Sequence, residues 1–197
     1  MTKVLVTGGA GFIGSHIVDL LISKGYRVIV VDNLSTGSRK NVNNKAKFVF
    51  GDILNTVYLT NELKEIDIVV HTAAQISVVE SVKNPLNDAN NNIIGTLKLL
   101  EMCKNIGVKK FIFSSTGGAI YGDLPKHKFP VNERIVEKPE SPYGITKKST
   151  EWYIDFYRKI YGIDGISLRY SNVYGPRQNS SGEAGVVSIF VNKLLKN

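Results

Sequence analysis

Cysteine occurs once in these 197 residues, at Cys103, tryptophan once and methionine twice. A lone thiol excludes an internal disulfide and any multi-cysteine metal site, so Cys103 reads as a helix-packing residue in a reducing, cytoplasmic setting. Histidine is scarce too. His16, His71 and His127 show no metal-ligand spacing, and no metal site is expected. No apolar run approaches the ~20 residues that a membrane-spanning helix needs. Met1-Thr2-Lys3 leads into a strand pattern instead of a signal peptide. Acids are outnumbered, 17 against 25 lysines and arginines, for a net charge of +8. The lysines are spread along the chain without interleaved aromatics, so neither nucleic acid nor a membrane is the expected partner. The surplus has two readings, attraction of anionic small molecules and a basic solvated surface. What is present, 43% hydrophobic and 21% charged residues, describes an ordinary globule of one domain.

The most informative stretch is Val4-Leu5-Val6-Thr7-Gly8-Gly9-Ala10-Gly11-Phe12-Ile13-Gly14, with a helical pattern following at once. A β-branched run ends in a glycine turn spaced G-x-x-G-x-x-G. Gly8 permits the sharp turn, Gly11 lets the backbone approach a pyrophosphate, and Gly14 lets the helix pack closely. The free amides and positive dipole end of that helix would face the phosphates. Asp32 closes the next apolar run, 18 residues past Gly14, where a carboxylate can accept from the adenosine ribose hydroxyls.

Further along, apolar runs alternate with helical segments, which predicts a parallel sheet covered on both faces. Strands are expected at 3–7, 27–32, 46–50, 67–71, 110–113 and up to 168–170. Helices are expected at 12–24, 55–65, 85–105 and 142–161, and 122–141 reads as one long loop. The class is α/β, a doubly wound parallel sheet in strand order 3-2-1-4-5-6, with its ligand over the carboxyl ends of strands one and four.

Tyr143 and Lys147 stand four residues apart, on one helix face, after Pro142. A phenol is a poor base at neutral pH, since its reference pKa is ~10. A lysine cation alongside, and a positively charged nicotinamide above, both favour the phenolate. Ser114-Ser115-Thr116 ends a neighbouring strand and can offer hydroxyls to the same substrate oxygen. Phenol, hydroxyl and dinucleotide together make a hydride-transfer site.

These stretches resemble the extended short-chain dehydrogenase/reductase family, and within it the NAD-dependent nucleotide-sugar epimerases of the UDP-glucose 4-epimerase type. The likeness continues through Asp32-Asn33-Leu34-Ser35-Thr36-Gly37, Gly51-Asp52-Ile53, His71-Thr72-Ala73-Ala74-Gln75 and Asn92-Ile93-Ile94-Gly95-Thr96. It closes with Ser141-Pro142-Tyr143-Gly144 and with Leu168 through Gln178. The resemblance implies NAD as cofactor, contacted by Gly8, Gly11, Phe12, Ile13, Gly14, Asp32, Asn33, Ser35, Thr36 and Gly37. Asp52, Ile53, Ala73, Ala74, Gln75, Asn92, Ser114, Tyr143, Lys147, Tyr170 and Val173 complete that set. For Asn92 a second reading stands beside it, a helix-interior amide bonded to backbone. Ser77, Thr116, Tyr143 and Asn172 would meet a UDP-hexose, and Thr116, Tyr143 and Lys147 would be catalytic.

The implied chemistry is epimerisation at C4 through a 4-keto sugar. Related dehydratases and decarboxylases carry acids just after the strand-five hydroxyl, where this chain has Gly117, Gly118 and Ala119. Their absence favours simple epimerisation. Trp152, Tyr153, Phe156, Tyr157 and Tyr161 form an aromatic stripe whose default reading is core packing, with pairing of the 85–105 and 142–161 helices in a homodimer as the second reading. Members of the family continue into a smaller substrate lobe, and Leu194 to Asn197 lie in a helical pattern with no stop. Residues 1–197 are therefore expected to be the NAD-binding domain, with that lobe lacking. A cofactor-binding module without turnover is the alternative from another functional class, and a reductase or dehydratase branch is the alternative within enzymes.

Overall fold

The strands are runs of Val, Ile, Leu and Phe too apolar to face water on either side, and such strands build parallel sheets between helical layers. The computed structural model describes residues 1–125, 130–179 and 185–195; His127 lies outside them. Six strands, β1 (Lys3–Thr7), β2 (Arg27–Asp32), β3 (Lys47–Phe50), β4 (Ile68–His71), β5 (Lys110–Thr116) and β6 (Asp164–Tyr170), form one parallel sheet. Their order is β3-β2-β1-β4-β5-β6, as expected for a doubly wound sheet. Its register aligns the functional strand ends, with Thr7 beside both Val31 and His71, and Thr116 beside Tyr170.

The helices are α1 (Phe12–Ser23), α2 (Thr56–Glu62), α3 (Val78–Lys83), α4 (Pro85–Ala89), α5 (Gly95–Ile106), α6 (Gly117–Ile120), α7 (Pro142–Tyr161) and α8 (Val186–Leu194). Leu5, Ile29, Val69, Phe111 and Phe113 point to one face and pack with Leu59 of α2, Leu99, Leu100 and Cys103 of α5, and Ile154 and Tyr157 of α7. Val4, Val6, Val28 and Val30 point to the other and pack with Val18 of α1. At β6 this covering thins out, leaving Ile166 and Leu168 exposed.

Two expectations need correction. The helix expected at 85–105 is interrupted: α4 gives way to a π-helical turn at Asn90–Ile94 before α5 begins. The cause is the buried Asn92, whose side chain is bound across the chain to Gln75 and along it to Asp88. The aromatic stripe of α7 is not a core stripe. Tyr157 alone of the five is buried, its hydroxyl donating to Glu101, while Trp152, Tyr153, Phe156 and Tyr161 are exposed. Strand β5 also runs on to Thr116, and α6 follows it without a loop, because the Thr116 hydroxyl accepts from the Ala119 amide as an N-cap.

Candidate active site

One wall of the site is made of backbone. Gly8 has φ +71°, and its amide donates to the Val31 carbonyl at 2.8 Å. A Cβ on Gly14 would sit 2.2 Å from the Gly8 carbonyl oxygen and 2.8 Å from the Thr72 hydroxyl, so helix α1 approaches the turn as only glycine allows. No side chain caps α1, and its first turn holds no acid. Its first amides and dipole are thus left to an anion. Asp32 stands beside them, its two oxygens accepting from the Ala10 amide at 2.9 Å and the Leu34 amide at 2.8 Å. Each oxygen keeps a lone pair for a hydroxyl donor. The Asn33 amide donates to Asp52 at 2.9 Å, which holds those two residues together.

The opposite wall is made of side chains, Lys147 and Ser114 buried, Tyr143 and Thr116 partly so. Ser141 caps α7 by accepting from the Gly144 amide, with Pro142 in the first turn. Gly144 lets α7 press on α6, since a Cβ there would lie 2.4 Å from the Ala119 carbonyl oxygen. That packing brings Tyr143 and Lys147 against the ends of β5 and β6. Lys147 is 4% exposed and donates to the Ser114 carbonyl at 3.0 Å, with its ammonium 5.8 Å from the Tyr143 ring centre. Burial pulls Lys147 down to about 8, opposed by the charge of Asp88. Thr116 already accepts from Ala119, so its own proton is left to donate into the cleft.

Two polar networks stand behind this wall. Thr96 donates to the Asn92 carbonyl and so accepts from His71 Nε2, leaving His71 Nδ1 to accept from Thr7 at 2.6 Å. Burial, with the Lys147 charge adding to it, pulls His71 down to about 3 and keeps the ring neutral. On the outer side Arg169 binds Glu151, Glu137 and Tyr121, and Ser115 donates to Glu151 at 2.7 Å. Burial alone would raise Glu137, but hydrogen bonds from Lys148 and Arg169 hold it down to about 2. This cluster fastens Glu137, in the stretch before α7, to Lys148 of α7 and Arg169 of β6.

Between the walls lies a cleft of about 720 Å³ over the ends of β1 and β4. It brings together all but two of the expected residues, including Gly8, Asp32, Ile53, Ala73, Gln75, Ser77, Ser114, Thr116, Tyr143, Lys147, Tyr170, Asn172 and Val173. Gly37 is not on its surface; a Cβ there would lie 2.9 Å from the Ala10 backbone, so it packs under the glycine turn. Asn92 is also off the surface, its amide donating to the Gln75 carbonyl and Asp88 while its oxygen accepts from the Gln75 amide. That is the second of its two readings. Sequence reasoning missed Ile76, Asn87 and Asn91, and gave no role to Ser171 or Gln178 within the stretch it singled out. Asn87 and Asn91 do carry a signal, a spacing of four that puts both on one face of the helical stretch. Among the described residues, the buried Ser114 Oγ and Gln178 Oε1 have no hydrogen-bond partner within the chain, and both line this cleft. A smaller hollow of about 360 Å³ between α2 and α5, lined by Val57, Leu97 and Met102, holds none of the expected residues. No helix among the described residues is long and apolar enough to cross a membrane, and no cluster of His, Cys, Asp and Glu suited to a metal is found there.

The chain is similar to known proteins along its whole length. The family model for the NAD dependent epimerase/dehydratase family matches residues 4–197. A putative UDP-glucose 4-epimerase of Methanocaldococcus jannaschii is 51% identical over 195 residues, 98% of this chain and 63% of that protein. The solved UDP-glucose 4-epimerase of Thermotoga maritima with UDP-glucose superposes with a TM-score of 0.95 at 54% identity, over 99% of this chain and 63% of its own. The UDP-glucose 4-epimerase of Thermus thermophilus in complex with NAD gives a TM-score of 0.94 at 47% identity, over the same shares of the two chains. The chain thus spans about 63% of the length of these relatives. With the glycine turn, Asp32 and the Tyr143–Lys147 pair around one cleft, this chain belongs to the NAD-dependent epimerase/dehydratase family.

Proposed function

We propose that these residues are the dinucleotide-binding and acid–base part of a nucleotide-sugar 4-epimerase that uses NAD and acts on a UDP-hexose of the glucose/galactose type. The observation that carries the reading is the shared cleft, with the uncapped α1 and Asp32 on one wall and Thr116, Tyr143 and Lys147 on the other. The residues fit the cofactor. The glycine turn leaves no room for a side chain where phosphates would approach, and Ser114 keeps a buried hydroxyl without a partner on the cleft wall. Asp32 and Asn33 would hold the adenosine ribose, Asp52 and Ile53 would border the adenine, and Tyr170 and Val173 would pack near the nicotinamide.

When bound, NAD supplies the acceptor, and later the donor, of the C4 hydride. Lys147, protonated at neutral pH and held against Ser114, stabilises the Tyr143 phenolate. Tyr143 takes the C4 hydroxyl proton while Thr116 donates to the same oxygen. Asn172 retains the diphosphate as the flat 4-keto sugar turns its other face to the site. Tyr143 then returns the proton, and the stereocentre is inverted with no net gain or loss of electrons. A Cβ on Gly118 would lie 3.9 Å from Thr116 Oγ1 and 4.0 Å from Asn172 Oδ1. An acid at 118 would therefore project at the reacting sugar, and its absence supports epimerisation over dehydration.

Two copies would pair through α5 and α7, and on α7 Trp152, Phe156, Ile160 and Tyr161 leave a run of apolar surface open. The single buried thiol is in keeping with a cytoplasmic protein. Titration calorimetry of NAD into the 197 residues is expected to show one site, and the absence of binding would overturn the reading. Interconversion of UDP-glucose and UDP-galactose is expected from a preparation that also carries the rest of the relatives' length. The 197 residues alone should show negligible turnover, because holding C4 against the nicotinamide and Tyr143 depends on a closed site. Robust epimerisation by the 197 residues, free of host epimerase, would contradict that division of labour.

A further inference from the structure

The residue that links the two walls is one that no motif picks out. Asp88, in α4, is fully buried. One of its oxygens accepts from Gln75 Nε2 at 2.8 Å and Asn92 Nδ2 at 2.9 Å, and the other accepts from Thr146 Oγ1 at 2.8 Å. The three donors come from three places: the loop after β4 on the cleft, the π-helical turn, and the stretch of α7 between Tyr143 and Lys147. We propose that Asp88 is a positioning residue of the acid–base site, the buried counter-charge of Lys147 and the clasp that sets α7 against the Ala73–Gln75 loop. The proposal rests on the reading of Tyr143 and Lys147 given above.

A carboxylate taken out of water is costly unless hydrogen bonds and an opposite charge offset it. Three donors meet the first need. For the second, the groups facing Lys147 are the Ser114 carbonyl and Phe113 ring of β5, Tyr143 of α7, and His71 of β4. His71 is held neutral, so it cannot balance an ammonium. Asp88 is the acid whose charge favours the protonated lysine, against the pull of burial. Asparagine would not replace it. Its NH2 can donate to the Thr146 hydroxyl, whose proton then turns to the Tyr143 carbonyl at 3.0 Å, but the charge would be gone.

The clasp also explains the interrupted helix. Asn92 donates to Asp88 and the Gln75 carbonyl and accepts from the Gln75 amide, which binds the loop backbone on both sides. Thr146 carries the same carboxylate to α7, one residue before Lys147. Moving Asp88 would therefore move the cofactor loop and the acid–base helix together.

The direct test is the titration of Lys147, followed by NMR through lysine labelled with carbon-13 at Cε, its signal identified by loss in Lys147→Met. The wild-type midpoint is expected at about 8. Asp88→Asn is expected to lower it by about one pH unit or more. The exchange Asp88→Asn with Asn92→Asp, which returns one carboxylate to the same network, should bring it back to within about half a unit of wild type. A folded Asp88→Asn whose midpoint falls by less than about half a unit would overturn the proposal. Should Asp88→Asn fail to fold, the exchanged pair decides: a midpoint near that of wild type supports the proposal, and one more than about a unit lower overturns it. NAD affinity of folded Asp88→Asn should fall by about tenfold, and the exchange should recover part of it. The lysine titration needs neither NAD nor turnover, so failure of the epimerase reading would show as absent NAD binding beside an intact lysine response.

Discussion

The two walls of the cleft are built by opposite means. The wall at β1 and β2 presents backbone amides, three spaced glycines and one carboxylate, with its tolerances set by close approach. The wall at β4, β5 and α7 presents ionisable side chains held in buried networks, with Lys147 and His71 both displaced from their ordinary pKa values. The first kind of wall suits a ligand part whose charge is fixed, a diphosphate. The second suits a part whose protonation changes, a reacting hydroxyl. The difference teaches that one wall should fail by steric intrusion and the other by change of charge.

Acidification should separate them with the largest effect. His71 titrates at 6.5 in an unfolded chain and at about 3 in the folded one, so below 6.5 the unfolded chain binds the extra proton. Stability contributed by the neutral ring is complete above pH 6.5 and falls by about 1.4 kcal/mol per pH unit down to about 3. Urea unfolding of wild type and a folded His71→Gln should differ by that slope between pH 6.5 and about 4.5, above the range in which Glu137 and the other carboxylates held low in the fold take up protons in both. Next comes the glycine wall. Gly14→Ala drives a methyl into the Gly8 carbonyl and is expected to cost about 3 kcal/mol or more in unfolding free energy, and to abolish NAD binding. Gly162→Ala, at φ +71° with nothing within 4 Å, should cost only about 1 kcal/mol.

In a preparation that also carries the rest of the relatives' length, Tyr143→Phe keeps the ring and removes the acid–base group, so steady-state epimerisation should fall by about 10²-fold or more while calorimetry still shows NAD bound. Near-normal turnover would sink the mechanism. The smallest effect is expected at Asp32, whose charge disfavours a ribose 2′-phosphate by roughly 1–3 kcal/mol. Arg39 and Lys40 are the nearby cations in sequence that could soften this, but Arg39 stacks on the Phe48 ring, 4.6 Å from its centre. Competitive titration should favour NAD over NADP, and Asp32→Asn should narrow the gap.

The same contrast decides what was legible in the sequence. The glycine turn, Asp32 and the Tyr143–Lys147 spacing are local, so strand order and most of the cleft follow from reading along the chain. Gly37 came from the likeness of the Asp32–Gly37 stretch, and its packing against the Ala10 backbone could not be read along the chain. Asp88 escaped notice because its meaning is set by Gln75, 13 residues before it, and by Thr146, 58 residues after it. The break in the 85–105 helix was hidden for the same reason, since Asn92, in the π-helical turn, bonds to a loop 17 residues away. The exposed aromatics of α7 keep helical periodicity whether they face a core or a partner, so periodicity alone could not assign them.

That both walls serve one dinucleotide is tested most directly by titrating NAD into wild type, Asp32→Asn and Lys147→Met, each checked for a native circular dichroism spectrum. One binding site is expected, weakened by about tenfold or more in either variant, since each removes one charged or bidentate contact from opposite sides of the same ligand. Binding that is lost in one variant and unchanged in the other would mean that the two walls do not share a ligand.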